Sequence, residues 1–513
     1  MASNKWLRWL RKLFSIPIRR DVGRPQTLGP FSNARDFIIE QAHFTVAGSP
    51  VKQTETLEEK QVMEKLAAHG TPGAVLDAAE REYAPRCNVN TRQTLRREIL
   101  GWARAVGAGT EGQRILWLFG SAAVGKSAVA QTVAEELKAQ GLLGGVYFFS
   151  RPNNRSDPNT VIPTLVYQLA LFLPEYRRLV TQRLIQDPLI LQRSRSSQFE
   201  ELIAGPALLL NSKQYLIFVL DGLDECADRD AQIKFVEMAS RHVQMHGCGL
   251  KFGWIICSRP EPDIRVAFSR EDCKPVCLYK ELGVDDEEAR TDTWRILEKG
   301  FADIRAQFPD QVKQDWPGDL NLRIIADRAS GHLGFVSFLL RFVGDKHYAN
   351  PSARFNACLV FLDQSAGQKN LNPLHALDLL YSQILSDVPA ETLPTTQRIL
   401  SIFSLYGGTR LTRTALTFAS FLDIDQPTFY SSLRRLHSVL VIPSAAKAND
   451  KPIQIYHASF TDYLKSSSRS KAFALDEGTI HLDLACQSLK WLQYARTGDV
   501  QQSKGPLGYK FMY

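Results

Sequence analysis

A glycine-containing segment after residue 119 holds the first residues whose types and spacing could bind a phosphate. It comprises Gly120, Ser121, Ala122, Ala123, Val124, Gly125, Lys126 and Ser127, and Ala128 continues into a helical stretch. The glycines let successive backbone N–H groups turn toward one anion, and the positive end of the following helix faces the same point. The lysine would neutralise β- and γ-phosphate oxygens, and the serine hydroxyl would bind Mg²⁺. This spacing predicts a loop that holds a nucleoside triphosphate.

Carboxylates that could serve the same nucleotide follow an apolar run. The run YLIFVL occupies residues 215–220 and leads directly into Asp221. An acidic residue at the end of a buried strand predicts a ligand that orients Mg²⁺. Asp224 or Glu225 could polarise the attacking water, because one carboxylate must hold the ion while another acts as base. The alternative is that these acids stabilise the first turn of a helix, and the two roles are compatible.

Two arginines follow other apolar runs. Arg259 comes shortly after FGWIIC at residues 252–257, and Arg151 follows GVYFF at 145–149. A cation at the carboxyl end of a neighbouring strand is placed to contact the γ-phosphate, although either arginine alone is more often an ion-paired surface residue. The sequence lacks the Asn-Lys-x-Asp element with which GTPases read guanine. We therefore expect ATP or ADP together with Mg²⁺, with GTP as the open alternative.

The apolar runs that precede these residues predict the fold class. Four of them, at 115–119, 145–149, 215–220 and 252–257, are continuous rather than alternating, and helical stretches separate them. Continuous apolar strands are typical of a parallel sheet that is covered on both faces. After residue 283 helical periodicity takes over. The pattern predicts an α/β P-loop NTPase, a parallel sheet flanked by helices, followed by helical units.

Composition and charge exclude several classes of protein. The chain has 513 residues, 44% hydrophobic and 23% charged, which is typical of several folded domains and excludes a largely disordered protein. No apolar run is long enough to span a bilayer. Six of the 62 Lys and Arg residues lie in the first twenty positions, which leaves 56 cationic against 54 acidic side chains. Because the excess belongs to one end, no nucleic-acid-binding surface is expected.

The first twenty residues have the pattern of a cationic amphipathic helix. Apolar side chains, two of them Trp, fall on one half of the helical wheel, and basic side chains on the other. This pattern favours a helix lying in a lipid headgroup region, with a mitochondrial transit peptide or a helix docked on the protein's own body as alternatives. Eight scattered cysteines indicate reduced thiols. We expect a cytoplasmic protein with peripheral membrane attachment through residues 1–20.

Together, these motifs resemble those of fungal NACHT-domain NTPases, members of the STAND class that is related to NLR immune receptors. The resemblance rests on GSAAVGKS, FVLDGLDE and ICSRP in this order, and on PRCNVNTRQTLRREILGW upstream of them. Downstream, LDLLYSQIL at 377–385, LRRLHSVLVIP at 433–443 and IYHASFTDYL at 455–464 resemble the helical and winged-helix parts of that family.

The resemblance, combined with the patterns above, gives an expected organisation. The expected units are an amphipathic helix at 1–20, an arm and linker at 21–85, the NACHT P-loop unit at 86–282, a helical domain at 283–390, a winged-helix domain at 391–470 and a helical tail at 471–513.

The resemblance also implies residue roles outside the P-loop unit. The family histidine that contacts the β-phosphate of ADP and locks a closed state falls on His457, with His437 as a competing candidate. Contacts to the base are implied near residues 89–92. Where many relatives have Gly-x-Pro in the helical domain, this chain has SGHLGF at 330–335, a departure that leaves the base contact there open.

The implied function is a nucleotide-gated signalling switch. It would be closed with ADP, open and self-associating with ATP, and reset by slow hydrolysis, in fungal non-self recognition or programmed cell death. Two alternatives remain from the residues themselves: a P-loop ATPase with steady turnover, and a non-catalytic, membrane-associated scaffold.

Overall fold

The computed structural model describes residues 56–497 apart from 110–111, 211–213, 245–249, 284–286, 330–331, 365–372 and 406–413. The amphipathic helix predicted at 1–20, the arm up to residue 55 and the tail after residue 497 lie outside the described residues.

Strands and helices alternate through the first half of the described chain. The elements are α1 (Leu57–His69), α2 (Gln93–Ala108), β1 (Ile115–Phe119), α3 (Lys126–Ala139), β2 (Leu143–Phe148), α4 (Val161–Phe172), α5 (Pro174–Gln186), α6 (Arg195–Phe199), α7 (Gly205–Leu209), β3 (Tyr215–Asp221), α8 (Arg229–Gln244), β4 (Lys251–Ser258), α9 (Pro262–Ser269) and β5 (Cys277–Glu281).

The five strands form one parallel sheet in the order β2-β3-β4-β1-β5. Four of them confirm the strands expected from the apolar runs. The fifth, β5, was missed because it is an edge strand: its residues alternate between buried and exposed, and Tyr279 is 37% exposed. An edge strand covered on one face does not produce a continuous apolar run.

The register brings the ends of the strands to one edge of the sheet. Phe119 at the end of β1 pairs with Ser258 at the end of β4, and Asp221 at the end of β3 pairs with Cys257. Because β4 lies between β1 and β3, the residues that leave it emerge between the P-loop and the acidic segment after β3. The fold therefore positions three sequence-predicted groups side by side.

Helices dominate the second half of the described chain, which confirms the expected helical carboxyl-terminal region. The elements are α10 (Glu287–Gln307), α11 (Asp319–Ala329), α12 (Leu333–Val343), α13 (Pro351–Gln364), α14 (Pro373–Ser386), α15 (Leu393–Leu405), α16 (Ala415–Leu422), α17 (Gln426–Leu433), β6 (Leu440–Val441), β7 (Gln454–Ile455), α18 (Ala458–Lys465), α19 (Ser467–Ser470) and α20 (Glu477–Thr497). Three helices followed by the antiparallel pair β6–β7 are the elements that a winged helix requires, and that assignment stays a prediction.

The segment expected to be a linker packs against the P-loop unit instead. It forms two short 3₁₀ turns, Pro72–Ala74, which contains a proline and a glycine, and Ala79–Arg81. Arg81 is 7% exposed, its guanidinium lies 3.5 Å from the centre of the Phe148 ring, and it donates a 2.6 Å hydrogen bond to Gln131. Here Gly and Pro mark tight turns on a packed surface, which composition alone does not distinguish from a flexible connection.

The helical unit is attached to the P-loop unit through the start of α2. Arg92, the residue before this helix, has a left-handed backbone with φ +51°. Its backbone N–H donates to Asp292 of α10 at 2.7 Å, and the N–H of Thr94 donates to Glu288 at 2.7 Å. Two carboxylates from α10 thus cap a helix that has no side-chain cap of its own, and Asp292 is fully buried.

Replacing Asp292 with Ala should lower the free energy of unfolding by about 1–2 kcal/mol, because a buried backbone N–H would lose its acceptor. Chemical denaturation followed by circular dichroism measures this change. Asp303→Ala on the exposed face of the same helix is the matched control, with an expected effect within about 0.5 kcal/mol. Equal effects of the two substitutions would contradict the capping role.

Candidate functional site

The loop between β1 and α3 has the backbone that its glycines and alanines predict. Gly125 has φ +101° and Ala123 has φ +63°, so the chain turns sharply where successive N–H groups must converge. The Lys126 ammonium donates to the carbonyl oxygens of Gly120 at 2.9 Å and Ser121 at 2.7 Å. The lysine therefore lies over the loop, at the point where the loop would hold a phosphate.

Asp221 lies fully buried at the end of β3, beside the P-loop. It is hydrogen-bonded to the Ser127 hydroxyl, and burial raises the pKa of its carboxyl to about 6. Its Oδ1 atom is buried without a hydrogen-bond partner among the described residues. An unpartnered carboxylate oxygen next to a serine hydroxyl fits a divalent cation, since Mg²⁺ prefers oxygen ligands. The predicted metal pair, Ser127 and Asp221, is thus brought together.

Arg259 and Asp224 form an ion pair at the exit of β4. The backbone N–H of Arg259 donates to Asp224 Oδ1 at 2.9 Å, and its Nε lies 3.2 Å from Asp224 Oδ2. Asp224 is therefore occupied with positioning the arginine. Glu225 accepts one backbone hydrogen bond, from Arg151 at 3.0 Å, and burial together with Asp224 raises its pKa to about 8. Because both carboxylate oxygens of Asp224 contact Arg259, Glu225 is the better placed of the two candidate bases.

The structure does not bring the side chain of Arg151 to the phosphate loop. Its guanidinium donates to the carbonyl oxygen of Asp224 at 3.0 Å and lies in a cleft of about 830 Å³ beside the main cavity. Arg259, in contrast, lines both this cleft and the cavity over the P-loop. Arg151 is therefore a weaker candidate for contact with nucleotide than the sequence indicated.

A cavity of about 470 Å³ lies over the P-loop and is shared by three parts of the chain. The P-loop unit contributes the loop and the carboxylates described above. The helical unit contributes Gly334 and Arg341 from α12, and the carboxyl-terminal unit contributes Tyr456 and His457. A ligand that fills this cavity would contact all three units at once.

His457 is held in a defined protonation state at the start of α18. Its Nδ1 accepts the backbone N–H of Ser459 at 3.1 Å, so the ring proton is on Nε2. The Ser459 hydroxyl lies 2.6 Å from the same Nδ1 and 2.8 Å from the hydroxyl of Tyr381, which fixes the ring. Burial, with Arg259 and Lys126 nearby, lowers the pKa of His457 to about 3. The imidazole is therefore neutral near pH 7 and retains one N–H donor.

The other histidine candidate lies elsewhere. His437 stacks on His347 with ring centres 3.5 Å apart and does not line the cavity. Of the residues expected near the base, Thr91 and Arg92 line the cavity, whereas Val89 is 73% exposed and does not.

Gly334, in the glycine-containing segment at the start of α12, contacts the P-loop directly. Its N–H donates to the carbonyl oxygen of Ala123 in the P-loop at 2.9 Å. A Cβ at this position would lie 2.2 Å from that oxygen, so only glycine permits the contact. The start of α12 rests directly on the phosphate loop. Residues 330–331 of the same motif lie outside the described residues.

Sequence reasoning missed arginines that line the cavity, among them the buried Arg81 and Arg155 and the exposed Arg341. Arg341 is the single charged residue in the apolar helix LGFVSFLLRFV, a signal that could have indicated a function. Its guanidinium lies 4.5 Å from the centre of the Tyr456 ring and so connects α12 to the segment before His457. Arg81 gave no such signal because its neighbours in sequence are polar.

Gly334→Ala should separate α12 from the P-loop, because the added methyl group would overlap a backbone oxygen. We expect a lower thermal midpoint and a loss of nucleotide retention of about tenfold or more, measured by scanning fluorimetry and equilibrium binding. Gly101→Ala in α2, where a Cβ meets nothing within 4 Å, is the control and should be neutral or slightly stabilising. Unchanged binding by Gly334→Ala would show that this contact does not shape the site.

Comparison with known proteins gives a partial family match. Residues 97–259 match the model of the nephrocystin 3 N-terminal family, which covers less than half of the chain. This stretch runs from α2 to the arginine after β4 and so contains the P-loop and the acidic segment. A search of curated proteins found no match.

Solved structures with a comparable arrangement have low similarity. Aeropyrum pernix ORC2, in ADPNP–ADP complexes, is 12% identical and covers 80% of this chain and 97% of its own, with a TM-score of 0.33. Pyrobaculum aerophilum Cdc6p is 14% identical and covers 80% of this chain and 100% of its own, at 0.32. Drosophila ORC with Cdc6 and poly(dA/dT) DNA is 12% identical and covers 94% and 79%, at 0.28. The P-loop α/β fold follows from the parallel strand order and from the backbone of the loop between β1 and α3.

Proposed function

We propose that this chain is a nucleotide-gated switch of the NACHT type within the STAND class. In this proposal ADP holds a closed state, ATP favours an open state that self-associates, and slow hydrolysis resets the protein. The observation that carries the proposal is the shared cavity, in which His457 from the carboxyl-terminal unit and Gly334 from the helical unit meet the P-loop.

The closed state can depend on the nucleotide because the groups that would bind it come from different units of the chain. A ligand shifts a conformational equilibrium only by the difference between its affinities for the two states. The neutral His457 imidazole offers one N–H to a diphosphate when the carboxyl-terminal unit is docked, and this bond is lost when that unit leaves. Bound ADP therefore stabilises the closed state by the free energy of this contact.

The remaining polar groups support slow hydrolysis. Ser127 and Asp221 would hold Mg²⁺, which neutralises charge on the phosphates when bound. Glu225 is the candidate base for the attacking water, and Arg259, which lines the cavity, is the candidate cation for contact with the γ-phosphate beside Lys126. ATP or ADP is the proposed ligand, and GTP stays open because no side chain of this cavity identifies the base.

The proposed partners and location rest on the sequence. Self-association in the ATP state follows from the switch model, and attachment to a membrane surface is proposed for residues 1–20. Within the described ranges of residues 56–497, no helix is long and apolar enough to cross a membrane.

The first experiment is to denature the purified chain and identify the released nucleotide by chromatography. We expect close to one ADP per chain, and Lys126→Ala should release about a tenth of this amount or less, because phosphate oxygens would lose their cation. Circular dichroism checks that the variant is folded. An empty wild-type protein with rapid ATP turnover would instead indicate a conventional ATPase, and an empty, inert protein would indicate a scaffold.

His457→Ala should weaken ADP binding by about 10- to 100-fold, since one hydrogen bond to a charged phosphate contributes about 1.5–3 kcal/mol. The oligomeric fraction without ATP should rise, and light scattering coupled to size exclusion measures it. His437→Ala is the matched control, because this histidine lies in the same unit but outside the cavity. Identical ADP affinities in the two variants would remove His457 from its proposed role.

A further inference from the structure

The Arg259 guanidinium joins two carboxylates that belong to different units. Its Nε lies 3.2 Å from Asp224 Oδ2 within the P-loop unit, and its Nη2 donates to Asp462 Oδ2 of α18 at 2.9 Å. The arginine side chain is 26% exposed and Asp462 is 35% exposed, so the contact is shielded without being closed to solvent. This ion pair crosses the boundary that must open in the proposed switch.

Asp462 reaches the nucleotide cavity only through its partner. Arg259 lines both the nucleotide cavity and the adjoining cleft of about 830 Å³, whereas Asp462 lines the cleft alone. Arg259 also follows β4, the strand next to the P-loop strand. One side chain therefore faces the γ-phosphate position and the carboxyl-terminal unit at the same time.

Two of the contacts between the carboxyl-terminal unit and the P-loop unit differ in their sensitivity to charge. Asn153 is hydrogen-bonded to both the N–H and the carbonyl of Ile455, each at 3.1 Å, and these neutral bonds do not respond directly to an added phosphate. The Arg259–Asp462 pair is charged, and a γ-phosphate would introduce a stronger acceptor beside the same guanidinium. Asp462 lies in α18, five residues after His457. A movement of this helix that breaks the Asp462 ion pair would therefore also weaken the contacts of His457.

We propose that Asp462 is a positioning residue that holds Arg259 in the closed state, and that a γ-phosphate competes with it for the guanidinium. The inference rests on the proposed function and specifies what opens the switch. With ADP, Arg259 keeps both carboxylates and α18 stays docked. With ATP, the guanidinium turns to the γ-phosphate, Asp462 loses its partner, and the contact between the units is weakened where His457 is attached.

Asp462→Ala tests this competition in the full chain, and alanine preserves the helix. The measurement is the dissociation constant of ADP and that of a non-hydrolysable ATP analogue, each with the same Mg²⁺ concentration. We expect the affinity ratio to shift toward the ATP analogue by about tenfold, which corresponds to about 1.4 kcal/mol. A merely structural role would weaken both ligands equally and leave the ratio unchanged.

Asp378→Ala is the matched control. Asp378 of α14 pairs with Arg469 at 2.6 and 2.9 Å, an ion pair also built by the helical and carboxyl-terminal parts, and neither residue lines the nucleotide cavity. The affinity ratio of this variant should equal that of the wild type. Asp462→Glu should restore most of the wild-type ratio because it keeps the charge, and Asp462→Asn should behave like Asp462→Ala.

Two results would overturn the inference in distinguishable ways. Suppose that the wild type binds both ligands, and that the affinity ratios of Asp462→Ala and Asp462→Asn stay within about twofold of the wild-type ratio. The proposed competition for Arg259 is then wrong, but the nucleotide-gated switch is not contradicted. If the wild type itself binds neither ligand, the proposed function fails and this inference fails with it.

Discussion

The parallel register of β3, β4 and β1 is the constraint on which the site depends. It places Asp221, Ser258 and Phe119 at one edge of the sheet, so the phosphate loop, a buried carboxylate and an arginine emerge side by side. Alone in water, each of these groups would bind a phosphate or a metal ion only weakly. At this edge the carboxylates are buried away from water, which is why Asp221 and Glu225 both have raised pKa values.

The helical unit and the carboxyl-terminal unit both contact this edge of the sheet. Helix α12 rests on the loop through the N–H of Gly334, and α18 approaches from another side with His457 and Asp462. At the loop, the hydrogen bond of Gly334 lies beside apolar contacts of Ala123, and the Arg259–Asp462 ion pair adds a charged contact with α18. Polar contacts of this kind depend on what charge the cavity holds, whereas apolar burial does not. This difference is consistent with the proposed nucleotide-gated switch.

The fold was predictable where the physics is local. Continuous apolar runs predicted four of the five strands of the parallel sheet, and the spacing of Gly120, Gly125 and Lys126 predicted the phosphate loop, because both depend on a few consecutive residues. Edge strand β5 and the packed segment around Arg81 were not predicted. Their residues are alternating or polar, and only the neighbouring strand or ring shows that they belong to a packed surface.

The sequence by itself determined the chemistry available to this protein: a phosphate loop, a carboxylate that could bind a metal ion, a parallel sheet and a helical carboxyl-terminal region. The tertiary structure decided which side chains share the cavity. It excluded Arg151 and His437, admitted Arg341, and paired Arg259 with Asp462, residues separated by about two hundred positions. Such pairs arise from the packing of one unit on another, and the free energy of that packing is not encoded in the spacing of residues along the chain.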